Sequence, residues 1–318
     1  PYASLTACVW EGFARASEIQ GTDGLTCSPN WGVHSLADNS YTGLTTVEGG
    51  YWITRFDGVA NSADPVLYDY ASTNDYLLTG GRLTFYGRKT TTATVTSNWA
   101  LVEGEVLATF VSGSNANSLT PGAGVTGEGV PEGTFIKRII GATYVLLSAP
   151  ATASLNPAAL VFAPVASECY QRIDSVESRN NSSELVVNRN SADVMRVEIG
   201  ALKGTANVLH RVSGGQTPGV LAIRNTRSFG GVYNLNAGIL ELLKDGETQP
   251  ALSNLTVVAD STLHVPEADA VADVAQLTGS GSTLTKTGAG TLAVGLGFGS
   301  TLSVIVEGGT VALPRPSV

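Results

Sequence analysis

The chain has 318 residues and a formal net charge of −9, and only 14% of its residues are charged, against roughly a quarter in an average soluble protein. That acidic balance works against a polyanionic partner, since phosphate backbones are bound by releasing counterions to clustered Lys and Arg, and no nucleic-acid partner is expected. No run of about eighteen apolar residues is present, which excludes a transmembrane helix, while 37 glycines point to strands and turns rather than helices.

Residues 1–89 read as an N-terminal β region that begins a solenoid. Trp10, Trp31 and Trp52 are 21 residues apart; the interval suits one coil of a solenoid, or it arises by chance. Cys8 and Cys27 bracket a glycine-rich stretch, and a disulfide between them would stabilise this end by about 3 kcal/mol in the chain-entropy model. Trp10, Trp31, Trp52, Tyr68 and Tyr70 are candidate aromatic platforms for sugar rings. Asp57, Asp64, Asp69 and Asp75 stand among tyrosines beside Arg55, the parts a glycosidase needs, yet each has turn-forming neighbours and is read as turn chemistry.

From residue 90 to 167 the pattern changes. Runs at Thr92, Val106, Thr134, Tyr144 and Leu160 read as separate strands, with turns at Pro121-Gly, Val130-Pro-Glu-Gly and Asn156-Pro. The stretch Gly127-Glu-Gly-Val-Pro-Glu-Gly-Thr, followed by Ser148-Ala-Pro-Ala-Thr-Ala, resembles a small β-module of bacterial surface and phage tail proteins. A compact β-sandwich or barrel inserted into one coil is expected, because repeat proteins tolerate insertions there.

Residues 168–318 resume the solenoid. Gly219-Val-Leu-Ala-Ile-Arg and Gly231-Val-Tyr-Asn-Leu-Asn are echoed by Gly290-Thr-Leu-Ala-Val and Ser300-Thr-Leu-Ser-Val-Ile-Val. Period-two alternation places Leu284, Leu292, Val294, Leu302, Val304 and Val306 on one face. A unit this small buries that face only by stacking, so the predicted class is all-β, a parallel β-solenoid with the module inserted. Gly81-Arg-Leu-Thr-Phe and Gly309-Thr-Val-Ala-Leu lie on opposite sides of the module and read as the same rung. The stretch from Pro266 reads as a short helix or as a loop plus a strand, and Pro314 and Pro316 cannot continue a ladder.

Leu277-Thr-Gly-Ser-Gly-Ser-Thr-Leu-Thr-Lys-Thr-Gly-Ala-Gly-Thr-Leu-Ala-Val resembles the autotransporter-associated β-strand repeat of secreted bacterial passenger proteins. Val9-Trp-Glu-Gly with Asn30-Trp-Gly is similar to the opening of large surface proteins that carry those repeats. The resemblance implies an extracellular right-handed parallel β-helix used for surface structure and adhesion, with no shared active site. The chain departs from the family in having few repeats and no recognisable translocator barrel.

Catalytic chemistry is not evident. His34, His210 and His264 are scattered and read as isolated polar residues, no Cys-x-x-Cys or His-x-x-x-His spacing suggests a metal, and the glycine-rich runs precede no helix. No enzyme activity, cofactor or metal is expected. Cys169 reads as a buried small hydrophobe or as a link to another subunit. With Met195 as the only methionine, a processed and exported chain at the cell surface is expected. The leading reading is an extracellular structural protein that self-assembles into a fibre, sheath or lattice. The alternatives are an adhesin or carbohydrate-binding tail protein, and a glycan-cleaving β-helix.

Overall fold

The computed structural model describes residues 24–27, 32–35, 43–56, 75–87, 94–119, 122–140, 142–163, 168–189, 194–296 and 301–313. The first strands are β1 (Leu25–Cys27), β2 (Gly32–Ser35), β3 (Thr45–Val47), β4 (Tyr51–Phe56), β5 (Asp75–Leu78) and β6 (Gly81–Gly87). They pair in parallel as two series, β1–β3–β5 and β2–β4–β6. Each coil therefore contributes one strand to a first sheet and, after a corner, one to a second.

The same alternation resumes with β13 (Glu168–Ser178), β14 (Ser183–Asn188), β15 (Val194–Gly204), β16 (Val208–Arg211), β17 (Val220–Phe229), β18 (Val232–Asn236), β19 (Ile239–Leu242), β20 (Ala251–Val257) and β21 (Ser261–His264). It continues through β22 (Val271–Thr287), β23 (Thr291–Val294), β24 (Thr301–Val306) and β25 (Thr310–Ala312). Strand β13 pairs directly with β5, and β14 with β6, so the coils on either side of residues 88–167 stack on each other. Gly81 opens β6 and Gly309 immediately precedes β25, both strands of the second sheet. Strand β22 runs through both sheets without a break, its first half on β20 and its second on β21.

Alternation fills the space between the sheets. In the first sheet Val197, Leu221, Leu240 and Leu263 are register partners rung after rung, and all are buried. In the second, Val208, Tyr233, Leu255 and Leu277 form an equivalent column. Leu284, Leu292 and Val294 are buried as the alternation predicts, and Leu302 and Val304 pack against the same core. Removing such columns from water, at roughly 25 cal/mol per Å², is the main term holding the coils together.

The corner from the first sheet to the second is often Gly-Gly. Gly81 has φ +104°, and a Cβ there would sit 2.5 Å from the Gly50 carbonyl of the coil below. Only glycine allows stacked corners to approach so closely.

The insertion comprises β7 (Val95–Leu101), β8 (Leu107–Gly113), β9 (Val125–Thr126), β10 (Ile136–Ile140), β11 (Tyr144–Leu147) and β12 (Leu155–Phe162). These form an antiparallel sheet in the order β10-β11-β8-β7-β12-β9, and the Gly124↔Phe135 bridge joins its two ends in a barrel-like closure. Trp99 fills its separate core, with Phe110 and Phe162 edge-on at 5.5 and 5.7 Å and the indole N–H donating to Ser97 Oγ at 2.7 Å. The fold is thus a parallel β-solenoid body with an inserted antiparallel β-barrel-like module.

The structure corrects one local reading, the Asn156-Pro turn, and decides between the alternatives at Pro266 and at the tryptophans. Asn156 and Pro157 lie inside β12, where the pairing to β7 slips by a residue; proline sits at a bulge because it donates no ladder bond. Pro266–Ala270 is a loop leading into β22, not a helix. Trp52 pairs with Val33 and Leu83, so this coil advances by 19 residues and the 21-residue tryptophan interval is not its repeat.

Candidate functional site

The most unusual surface is the last described coil. Val304 pairs with Leu284, Val311 with Leu292 and Val306 with Lys286, and all three lower partners are fully buried. In the upper coil the same positions are less covered: Val304 and Val311 are half-buried and Val306 is 49% exposed. Among the described residues β24 and β25 pair on one side only. Ile305, on the opposite face of β24 by alternation, and Leu313 are 50% and 55% exposed. Among the described residues this coil presents ladder groups without a partner strand on one side, and apolar side chains at the spacing of the core columns.

Lys286 lies directly beneath. It occupies the apolar column after Leu240 and Leu263, and its ammonium donates to the carbonyls of Thr287 at 2.7 Å and of Gly288 and Gly308 at 3.1 Å. Burial pushes this amine below its ordinary range. The carbonyls belong to two successive corners, so one side chain pins the last coil to the one before.

The outer face of the first sheet carries an ion ladder. Arg172, Glu198, Ala222 and Glu241 are successive register partners. Glu198 accepts from Arg172 and Arg196 at 3.1 Å and from Arg224 at 2.5 Å, and Arg196 reaches past Ala222 to Glu241 at 2.6 Å. Burial opposes ionisation of Glu198, but hydrogen bonds from Arg224 and Arg196 outweigh it and hold the carboxyl below its usual range. Each guanidinium is engaged by carboxylates, which makes this a structural clasp rather than an open binding site.

Sequence reasoning also missed an internal polar pair. His210 sits on β16 in a column with Leu185 and Leu235, fully buried, its Nδ1 3.0 Å from the Tyr233 hydroxyl. It is on a strand as expected, but it is not isolated. Burial alone lowers the imidazole pKa to about 3 and raises that of the phenol. Nε2 of His210 has no hydrogen-bond partner, and a Cβ at Gly238 would lie 2.9 Å from it.

The residues singled out from sequence are only partly described. Cys27 is buried, with Sγ 3.6 Å from the Tyr51 carbonyl, whereas Cys8, the partner expected for it, lies outside the described residues. So do Trp10, Trp31, Tyr68 and Tyr70, along with Asp57, Asp64 and Asp69. Trp52 occupies the register position of buried Leu83. Asp75 stands on β5 and accepts a hydrogen bond from Ser175 of β13. Among the described residues no group of three or more His, Cys, Asp or Glu is placed to hold a metal, and no helix is long and apolar enough to cross a membrane.

No family model, curated protein or solved structure matches this chain.

Proposed function

We propose that this protein is an extracellular structural solenoid that self-assembles with copies of itself, through backbone pairing and the apolar faces of its strands, into a fibre, sheath or lattice. One observation carries the reading: among the described residues the last coil holds Val304, Val306 and Val311 in register with the buried Leu284, Lys286 and Leu292, yet less covered than they are. Backbone pairing supplies direction and the valines supply free energy, the division of labour in strand addition. Charge has a small part, because exposed ion pairs contribute only about 0–1 kcal/mol each.

Sedimentation velocity over a concentration and salt series tests the proposal. The protein is expected to associate with concentration, with little dependence on salt, and V304K and V311K are expected to shift it to monomer while circular dichroism stays unchanged. A monodisperse monomer at high concentration would overturn the proposal. Assemblies that dissolve between low and moderate salt would overturn the apolar mechanism.

A further inference from the structure

Coil corners in this solenoid are not all the same length, and the difference opens a notch. In register, Leu78 and Gly81 match Ser178 and Ser183. The corner of the third coil is therefore the dipeptide Thr79-Gly80, whereas that of the next is the tetrapeptide Arg179–Ser182. The longer corner overhangs the glycine corners beneath it. Its shape is held by Asn180, whose Oδ1 accepts from Ser182 N at 3.0 Å and Ser182 Oγ at 2.9 Å, and by Asn181, whose Oδ1 accepts from Asn207 N of the following coil at 2.8 Å.

Below the overhang is an open cavity of about 380 Å³ floored by Gly49, Gly50 and Gly81 and walled by Tyr51, Arg82, Ser182 and Glu184. Tyr51, Arg82 and Glu184 are consecutive register partners on the outer face of the second sheet, so three coils deliver three different chemistries to one place. Tyr51 is 39% exposed. Arg82 donates Nε to Glu184 Oε2 at 2.6 Å, and Arg211 donates Nε and Nη2 to that same oxygen at 3.1 and 3.0 Å. Two guanidinium groups on one carboxylate leave a net positive charge, on a chain whose total is −9.

We infer that this notch binds a carboxylated sugar. An aromatic ring attracts the electropositive C–H face of a pyranose. The fork of Arg82 beyond Nε matches the planar carboxylate of a uronic acid, while Glu184 Oε1 and Ser182 Oγ accept from ring hydroxyls. The volume lies at the small end of ligand sites and suits about one or two sugar units. The local charge excess selects the acidic sugar over a neutral one.

Isothermal titration calorimetry on the whole chain with galacturonate trisaccharide, and with its methyl ester as an uncharged match, tests the assignment. The acid is expected to bind at least tenfold more tightly than the ester. R82Q is expected to lower affinity for the acid to that for the ester, and Y51A to weaken both by a similar factor of about ten. S182A is expected to weaken both by a few-fold, and it leaves the ion pairs intact should R82Q fail to fold. Equal binding of acid and ester would overturn the charge selection. Absence of binding, or affinities unchanged in Y51A and S182A, would overturn the site.

Discussion

His210 shows how one side chain couples this core to pH. Its neutral form is the one the folded state accepts, with a folded pKa of about 3 set by burial, against about 6.5 in an unfolded chain. The unfolded state therefore binds the extra proton first. Stability from this residue is complete above about pH 6.5 and is lost as pH falls from there toward 3, by roughly 2 kcal/mol at pH 5. Urea unfolding at pH 7.5 and pH 5 is expected to show that loss in the wild type and a smaller one in H210Q. Equal pH dependence in the two proteins would count against the account. The residue type was legible in the sequence, but its burial was not. His210 joins an apolar column only because coil spacing sets it beside Leu185 and Leu235.

At the scale of elements, the ladder along the first sheet separates ion pairs that matter from those that do not. Glu198 is 8% exposed and is met by three arginines from three strands. Glu177 pairs with Arg179 two residues away; Arg179 is largely open to water and Glu177 is about a third exposed. Removing Glu198 takes the carboxylate from Arg224 and Arg172 and leaves Arg196 with Glu241 alone, so E198A is expected to cost about 3 kcal/mol, whereas E177A is expected to cost about 0–1 kcal/mol. Denaturant melts of the two variants decide this, and similar losses would sink the distinction. Nothing local in the sequence marks the difference, since both glutamates lie in alternating strands with an arginine two positions away.

For the whole molecule the central question is whether the barrel-like module supports the solenoid. Direct pairing of β5 with β13 and of β6 with β14 carries the body past the insertion, and the two cores share no residue. Replacing residues 93–165 with a short Gly-Ser bridge is therefore expected to leave a protein that unfolds cooperatively, with a smaller m value in proportion to the surface removed. Loss of a cooperative transition would show that the module holds the coils together. Stacked repeats contact mainly their neighbours, which is why such a cut is tolerated at this junction.

Composition, period-two alternation and glycine corners sufficed to read a stacked β-solenoid from the sequence and to mark residues beyond 90 as a different kind of β-structure. These signals are local: alternation assigns a face, and paired glycines mark a corner, wherever the chain later goes. The tertiary structure decided which residues share a column, because from β13 to β25 successive coils advance by 19 to 26 residues, as the pairs Ile223↔Leu242 and Ser175↔Ala201 show. That variable spacing put Lys286 under Val306, set Arg196 between two glutamates, buried His210 against Tyr233, and brought Tyr51, Arg82 and Glu184 into one notch across an insertion. Register between distant strands is fixed by ladder hydrogen bonds and by the fit of whole columns, and neither is written in any single stretch of chain.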